Sequence, residues 1–287
     1  MLTKEQIGLD RITPSMINTY DDCPLLFYYQ YWLGLQLPQD KRHLQFGTAF
    51  HEALGEIYRQ YDTNFGGGWE FANVDIAKII FLKNWKLSHI SDEEFARVLK
   101  LKSNSFATKE ELYESMKQDG LDMIDNYWNH KELLLVTHGI DVVHTEIAYK
   151  LPLVNPANTE EKLPIPLSLR IDGITRNGDV IEFKTSASEY DPIETRNSAQ
   201  ALAYPYARWR ETGKIPKVIY VVNIKGRKSQ TAPQVIELTF NESDMQAFYH
   251  RVEAVLQRIA NREFDRGKAS GFTKYELEKY EKALSII

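Results

Sequence analysis

Two textures meet near Ile140. Before it the chain reads as helix. Pro14 suits a first-turn position and Thr13 an N-cap, so a helix is expected over Ser15–Leu33, rich in aromatics (Tyr20, Phe27, Tyr28, Tyr29, Tyr31, Trp32). A second is expected over Gln45–Tyr61, then a loop at Asn64-Phe65-Gly66-Gly67-Gly68. Val74–Leu101 reads as two helices broken near Ser91-Asp92, and Lys109–Glu132 as another. After Ile140, Val142–Leu153 and Ile165–Thr175 alternate or run apolar, with β-branched residues and bounding prolines, as strands do. Val180–Thr185 is a third strand, Ile193–Thr212 a helix, Val218–Ile224 and Val235–Phe240 further strands. Asn241-Glu242-Ser243 caps a long helix to Arg262. The order β-β-β-α-β-β within a helical frame predicts an α/β or α+β fold with mixed strand directions. Residues 1–65 and 139–287 are expected to form the core, with 66–138 an inserted helical lobe.

The chemistry concentrates where the strands begin. Arg170-Ile171-Asp172-Gly173 closes one apolar strand, and Glu182-Phe183-Lys184 lies on the next. Residues two apart in a strand share a face and lie about 6.6 Å apart, so Glu182 and Lys184 point one way and Phe183 the other. The link Thr175-Arg176-Asn177-Gly178-Asp179 favours a tight hairpin, which brings Asp172 beside Glu182. Two carboxylates and an ammonium on one face could hold a hard cation and a reacting phosphate. Acid and Lys at this spacing also occur on solvated strand faces. The apolar flanks Ile165–Ile171 and Val180-Ile181 favour a buried sheet, where unpaired carboxylates are costly.

Bulk properties narrow the classes. The chain of 287 residues, 43% hydrophobic, is long enough for a real core. No apolar run approaches the roughly 20 residues that span a bilayer, and Met1–Ile12 is polar, so no secretory signal is visible. One cysteine, Cys23, excludes an internal disulfide and an all-cysteine metal site and fits a reducing cytosol. The net charge of −5 argues against passive coating of nucleic acid. Any DNA contact must come from local cations, such as Lys225-Gly226-Arg227-Lys228, and a metal. Gly66-Gly67-Gly68 lacks the Lys-Ser/Thr of a P-loop, so no ATP use is expected.

Four elements in order resemble the PD-(D/E)xK nuclease superfamily, in particular its RecB-like (AddB-like) branch. They are Ser15-x4-Tyr20-x2-Cys23-Pro24-x2-Phe27-Tyr28, then Gly47-Thr48-x2-His51-Glu52, then Asp172 with Glu182-x-Lys184, then Gln200-x3-Tyr204. The resemblance runs from Ser15 to about Tyr204. It implies a restriction-endonuclease-like mixed sheet flanked by helices. It implies Mg²⁺ or Mn²⁺ held by Asp172, Glu182, His51 and the carbonyl of Phe183, the imidazole tilting the choice toward Mn²⁺. Lys184 would orient or help deprotonate the attacking water. Gln200 and Tyr204, at i and i+4 on one helix face, would position the strand or bond to Lys184 or the water. Glu146 could be a further acid near the site, though edge-strand acids are common. Arg170 could meet phosphate or pair with an acid.

Many RecB-like nucleases hold an iron–sulfur cluster on four cysteines, one in the opening helix and three near the C-terminus. Cys23 fits the first position, but Asn261–Ile287 has none, and a cubane needs about four thiolates, so no iron–sulfur cluster is expected. Cys23 is then a small buried residue, with the terminal stretch held through Phe264, Phe272 and Tyr275. The implied activity is a metal-dependent deoxyribonuclease, an exonuclease on single-stranded or end-containing DNA in repair, recombination or phage- or CRISPR-related DNA processing. A helicase or recombination protein is a possible partner, with no membrane partner and an intracellular, cytoplasmic location. A non-catalytic DNA-binding subunit and an RNA-processing nuclease stand as alternatives.

Overall fold

The computed structural model of the chain describes residues 2–37, 42–63, 73–101, 105–226, 231–267, 269 and 271–285. Its frame is a five-stranded sheet in the order β1-β4-β5-β6-β7, with β1 Val142–Leu151, β4 Leu167–Thr175, β5 Val180–Ser186, β6 Val218–Ile224 and β7 Gln234–Leu238. β5 and β6 run parallel and the other pairs antiparallel. The parallel pair needs a crossover, supplied by α8 (Pro192–Asn197) and α9 (Ala199–Thr212). All seven residues of β6 are buried, as expected of a strand covered on both faces.

Alternation sends successive side chains of β5 and β6 into two apolar clusters. Val180, Val218, Tyr220 and Val222 pack with α2 (Pro14–Asp22), α9 and α10 (Glu242–Ala260). Ile181, Phe183, Ile219 and Val221 pack with α4 (Arg42–Thr63), α5 (Val74–Asn84) and α7 (Lys109–His138). The mixed α/β fold is thus the expected one, and helices of the stretch expected as a lobe share a core with the sheet. Residues 64–72, including the Gly66-Gly67-Gly68 loop, lie outside the described residues. No helix among the described residues is long and apolar enough to cross a membrane.

Several elements differ from the sequence expectation. The opening helix is broken: α2 ends at Asp22, Cys23 takes extended backbone, α3 covers Pro24–Phe27 and a π turn covers Tyr28–Trp32. Pro24 has no N–H to continue α2 and disfavours helical backbone at Cys23. The expected helix Ile193–Thr212 is likewise two, parted at Ser198, which caps α9 through its side chain. A small hairpin, β2 (Val154–Asn155) with β3 (Asn158–Lys162), sits between β1 and β4; its polar, exposed β3 has no periodic signal.

The C-terminal stretch folds back on the opening helices. Tyr20 Oη donates to the Glu263 carbonyl at 2.6 Å, and the Leu25 amide to that of Asp265 at 2.8 Å. Phe264 lies among Phe27, Tyr28 and Trp32. α11 (Gly271–Leu284), absent from the sequence expectation, packs Leu277 and Tyr280 against buried Cys23 and Leu26. Tyr275 receives the Arg97 guanidinium, which stands 4.8 Å over its ring. The Phe272 side chain lies outside the described residues.

α5 and α7 meet at Gly120, where a Cβ would come 2.1 Å from Phe81 Cζ. Gly120→Ala gains about 1 kcal/mol of helix propensity but forces the buried Phe81 ring to move, and such overpacking costs about 1–3 kcal/mol. Net destabilisation by up to about 2 kcal/mol is expected in urea unfolding; a more stable variant would show that the two helices do not pack this tightly.

Candidate active site

The registers of the sheet line up three acids. β1–β4 pairing runs through Thr145↔Gly173 and Ile147↔Ile171, placing Glu146 opposite Asp172. β4–β5 pairing runs through Ile174↔Val180 and Gly173↔Ile181 and then stops, so Asp172 faces Glu182 where the strands part. The hairpin that sets this register closes at Gly178, whose φ of 89° suits glycine. Gly173 is closely packed: a Cβ would lie 3.0 Å from Val142 Cγ1, so that side chain would have to give by a few tenths of an ångström. Beyond it, Asp172 Oδ2 accepts the Phe183 amide at 2.9 Å. A side chain has replaced a backbone carbonyl as the partner of β5, and the sheet opens around it.

α4 brings the fourth group. It passes over β5 at Gly47, where a Cβ would make ordinary contact with Thr185 at 3.8 Å. One turn later His51 Nδ1 stands 3.4 Å from Asp172 Oδ2. One ligand atom each from His51, Glu146 and Asp172 lies within 4.8 Å of the others, so these three could hold a divalent cation. One imidazole and two carboxylates suit Mg²⁺ or Mn²⁺, with nitrogen favouring the latter. Glu146 has a φ of 56°, a conformation that costs a non-glycine residue about 1–3 kcal/mol. The strain occurs where the strand aims this carboxylate at the cluster. Glu146 also pairs with Arg170 at 3.2 Å, so the acid-pairing alternative for Arg170 is realised. Glu146 was legible only as one edge-strand acid among many; the register opposite Asp172 singles it out.

Glu182 belongs to a second, adjoining network. Its Oε1 accepts Lys184 Nζ at 2.5 Å and Gln200 Nε2 at 2.8 Å, and its Oε2 accepts Tyr204 Oη at 2.6 Å. Gln200 also accepts Lys184 Nζ at 3.0 Å and donates to Tyr204 Oη at 2.5 Å. The expected helix-face pair Gln200 and Tyr204 thus reaches the Glu-x-Lys strand. α9 lies close enough because Ala199, Ala201 and Ala203 are small and buried. The Phe183 side chain points the other way, against Tyr58 and Tyr127. Oxygens of Glu182 are turned to Lys184, Gln200 and Tyr204, while those of Glu146 and Asp172 converge with His51.

Electrostatics follow this division. Burial, reinforced by Asp172, pushes the Glu182 carboxyl up to about 7, against the pull of Lys184. Burial alone would pull Lys184 down, but Glu182 outweighs it and raises the ammonium. Burial also opposes charge on His51 and Asp172, yet their contact wins: the imidazole is raised and the carboxyl lowered.

Other expected elements lie apart from this cluster. Aromatics of the opening helices stack with one another, Phe264 and Tyr280, which is packing. Lys225 sets its ammonium 4.2 Å from the Phe46 ring, while Arg227 and Lys228 lie outside the described residues.

The chain belongs to the PD-(D/E)XK nuclease superfamily, whose family model matches residues 11–270. Nucleases of this superfamily use divalent metals, and the donor set above fits one. The fold is similar to the crystal structure of a "Putative exonuclease" from Eubacterium rectale, at 13% identity and a TM-score of 0.52, over 96% of this chain and 93% of that one. A looser overlap, with the crystal structure of SSO0001, has 19% identity and a TM-score of 0.29 over 56% of this chain and 69% of that one. No curated protein sequence matches the chain.

A cation bound at His51 requires the neutral imidazole. Because the folded protein raises His51, protons compete as the pH falls through its titration. Mn²⁺ affinity is therefore expected to weaken as pH falls from about 8 to about 6, with proton release on binding. Calorimetry in two buffers of different ionisation enthalpy measures both. An unchanged pH dependence in His51→Ala would remove His51 from the ligand set.

Proposed function

We propose that this chain is a metal-dependent deoxyribonuclease of the RecB-like branch, acting as an exonuclease on single-stranded or end-containing DNA. The observation that carries the reading is the Glu182–Lys184–Gln200–Tyr204 network beside the His51–Glu146–Asp172 donors, since a cation with a fixed ammonium next to it can activate water and offset the charge of a phosphodiester. The cation, Mg²⁺ or Mn²⁺, supplies a Lewis acid that polarises the phosphate and lowers the pKa of the attacking water. His51, Asp172 and Glu146 would hold it. Glu182 and the Phe183 carbonyl complete the proposed set, Glu182 by turning one oxygen from its present donors.

Lys184 has three donors. Two are engaged by Glu182 and Gln200, and the third is left for the water or a phosphate oxygen. Its position is set before substrate arrives, the condition under which such groups stabilise charge in a transition state. Gln200 and Tyr204 act as positioning residues, holding the carboxylate that holds the ammonium. The exonuclease label of the Eubacterium rectale neighbour agrees with end-directed action. A helicase or recombination protein that supplies single strands would be a fitting partner.

End-labelled linear and circular single-stranded DNA, incubated with Mn²⁺, Mg²⁺ or EDTA, test the reading. Metal-dependent cutting of linear DNA is expected, falling about 10²–10⁴-fold in Lys184→Ala and to background in Asp172→Ala. Full activity in Asp172→Ala would falsify the site. Cutting of circles would make the enzyme an endonuclease, and no cutting under any metal would favour a DNA-binding subunit.

A further inference from the structure

The proposed cleavage leaves open how an acidic protein holds a polyanion at a centre lined by three carboxylates. One groove answers this. It has a volume of about 570 Å³, and its lining includes Arg11, Lys150, Ser168 and Arg170, together with Gln200 and Tyr204 of the site itself.

The β1–β4 register explains the groove's charge. Ala148 pairs with Arg170 and Lys150 with Ser168. Each pair lies two residues beyond the last along both strands, continuing from Glu146 opposite Asp172. Residues two apart share a side of the ribbon and are spaced about 6.6 Å, of the order of the separation between successive phosphates on a nucleic-acid strand. Ala148, Lys150 and Arg170 are exposed, while the alternate residues Tyr149 and Leu169, which also line the groove, are half-buried and buried. One side of the ribbon therefore steps from the acid row to Arg170 and then to Lys150.

Arg11 is brought to the same groove by the backbone. The Ile12 amide donates to the Pro166 carbonyl at 3.0 Å, and the Ser168 amide donates to the Ile12 carbonyl at 2.8 Å. This bridge fixes the segment before α2 alongside the start of β4. Arg170 is tied to Glu146, but Arg11 and Lys150 have no ion-pair partner among the described residues. The nearby Asp10 is engaged by Lys4 at 2.6 Å.

We infer that this groove is a phosphate track: Arg11 and Lys150 bind the backbone of the DNA strand on the Gln200–Tyr204 side of the scissile bond. Arg170, shared with Glu146, marks the boundary between track and metal donors. Contacts of this kind are sequence-independent and position the strand without reading bases. The inference rests on the nuclease reading, and the strand it holds is the one that reading would cut.

The test measures binding of fluorescent single-stranded DNA as a function of salt, with Mn²⁺, in a Lys184→Ala background. Each phosphate contact contributes about 0.7 to the slope of log K against log salt for single strands. Arg11→Ala and Lys150→Ala are each expected to lower the slope by about 0.7, and the double variant by about 1.4. Charge-preserving Arg11→Lys and Lys150→Arg should restore it. Lys214→Ala, beyond the far end of α9, controls for net charge and should leave the slope as it was. An unchanged slope in the double variant, or an equal drop in Lys214→Ala, overturns the track. Failure of the nuclease reading appears separately, as absence of metal-dependent cutting by the wild-type chain or as persistent cutting in Lys184→Ala.

Discussion

The centre depends on one buried ion pair, Glu182 with Lys184. Two charges on one strand, on a face covered by α9, would be costly unless every donor and acceptor found a partner. Here the carboxylate receives three donors, from Lys184, Gln200 and Tyr204. That requirement fixes α9 against β5, and so the crossover between β5 and β6. It also fixes the direction of the ammonium, because the two bonds Lys184 makes leave one side free. Satisfaction of the buried pair and orientation of the Lys184 ammonium are the same set of hydrogen bonds.

The pair is balanced against a neighbouring charge problem. Asp172 and Glu182 face each other across the opening of β4 from β5, and each disfavours ionisation of the other. The structure settles the matter unequally: Asp172, facing His51 and the Phe183 amide, is held ionised, while Glu182 is pushed up to about 7. A cation among His51, Glu146 and Asp172 would relieve this repulsion. Protonation of His51, favoured by its contact with Asp172, and binding of a cation would offset the same negative charge.

Most of this was legible in the chain. The strands at 167–175 and 180–186 follow from apolar runs bounded by turn residues, and i, i+2 alternation placed Glu182 with Lys184 and opposed Phe183. Gln200 and Tyr204 share a helix face by spacing alone, but that this face meets β5 is a tertiary fact. What was not legible has a separate cause at each element. Pro24 breaks a pattern whose aromatic content reads as one continuous helix. Ser198 separates α8 from α9 by capping, with no change in hydrophobic period. The β2–β3 hairpin is polar and exposed, so no buried face marks it. α11 gains its place from contacts with Cys23 and Leu26, some 250 residues away in sequence, which no window along the chain contains.

Glu146 shows why the acid row needs a broken sheet. In an unbroken ladder Glu146, Asp172 and Glu182 would be three neighbouring carboxylates, each neighbour about 5 Å apart across strands, and like charges so placed are destabilising. Two local departures give Glu182 different partners from the other two. β1 takes a left-handed residue at Glu146, and β4 gives up its backbone pairing to β5 at Asp172. The first directs a carboxylate toward His51 and Arg170; the second lets Asp172 replace a backbone acceptor and turn toward α4. Glu182 alone remains in the sheet's plane of burial, where Lys184 and α9 can satisfy it. The irregularities that weaken the sheet at this row divide one cluster of acids into a donor set that can take a cation and a hydrogen-bonded base for the lysine.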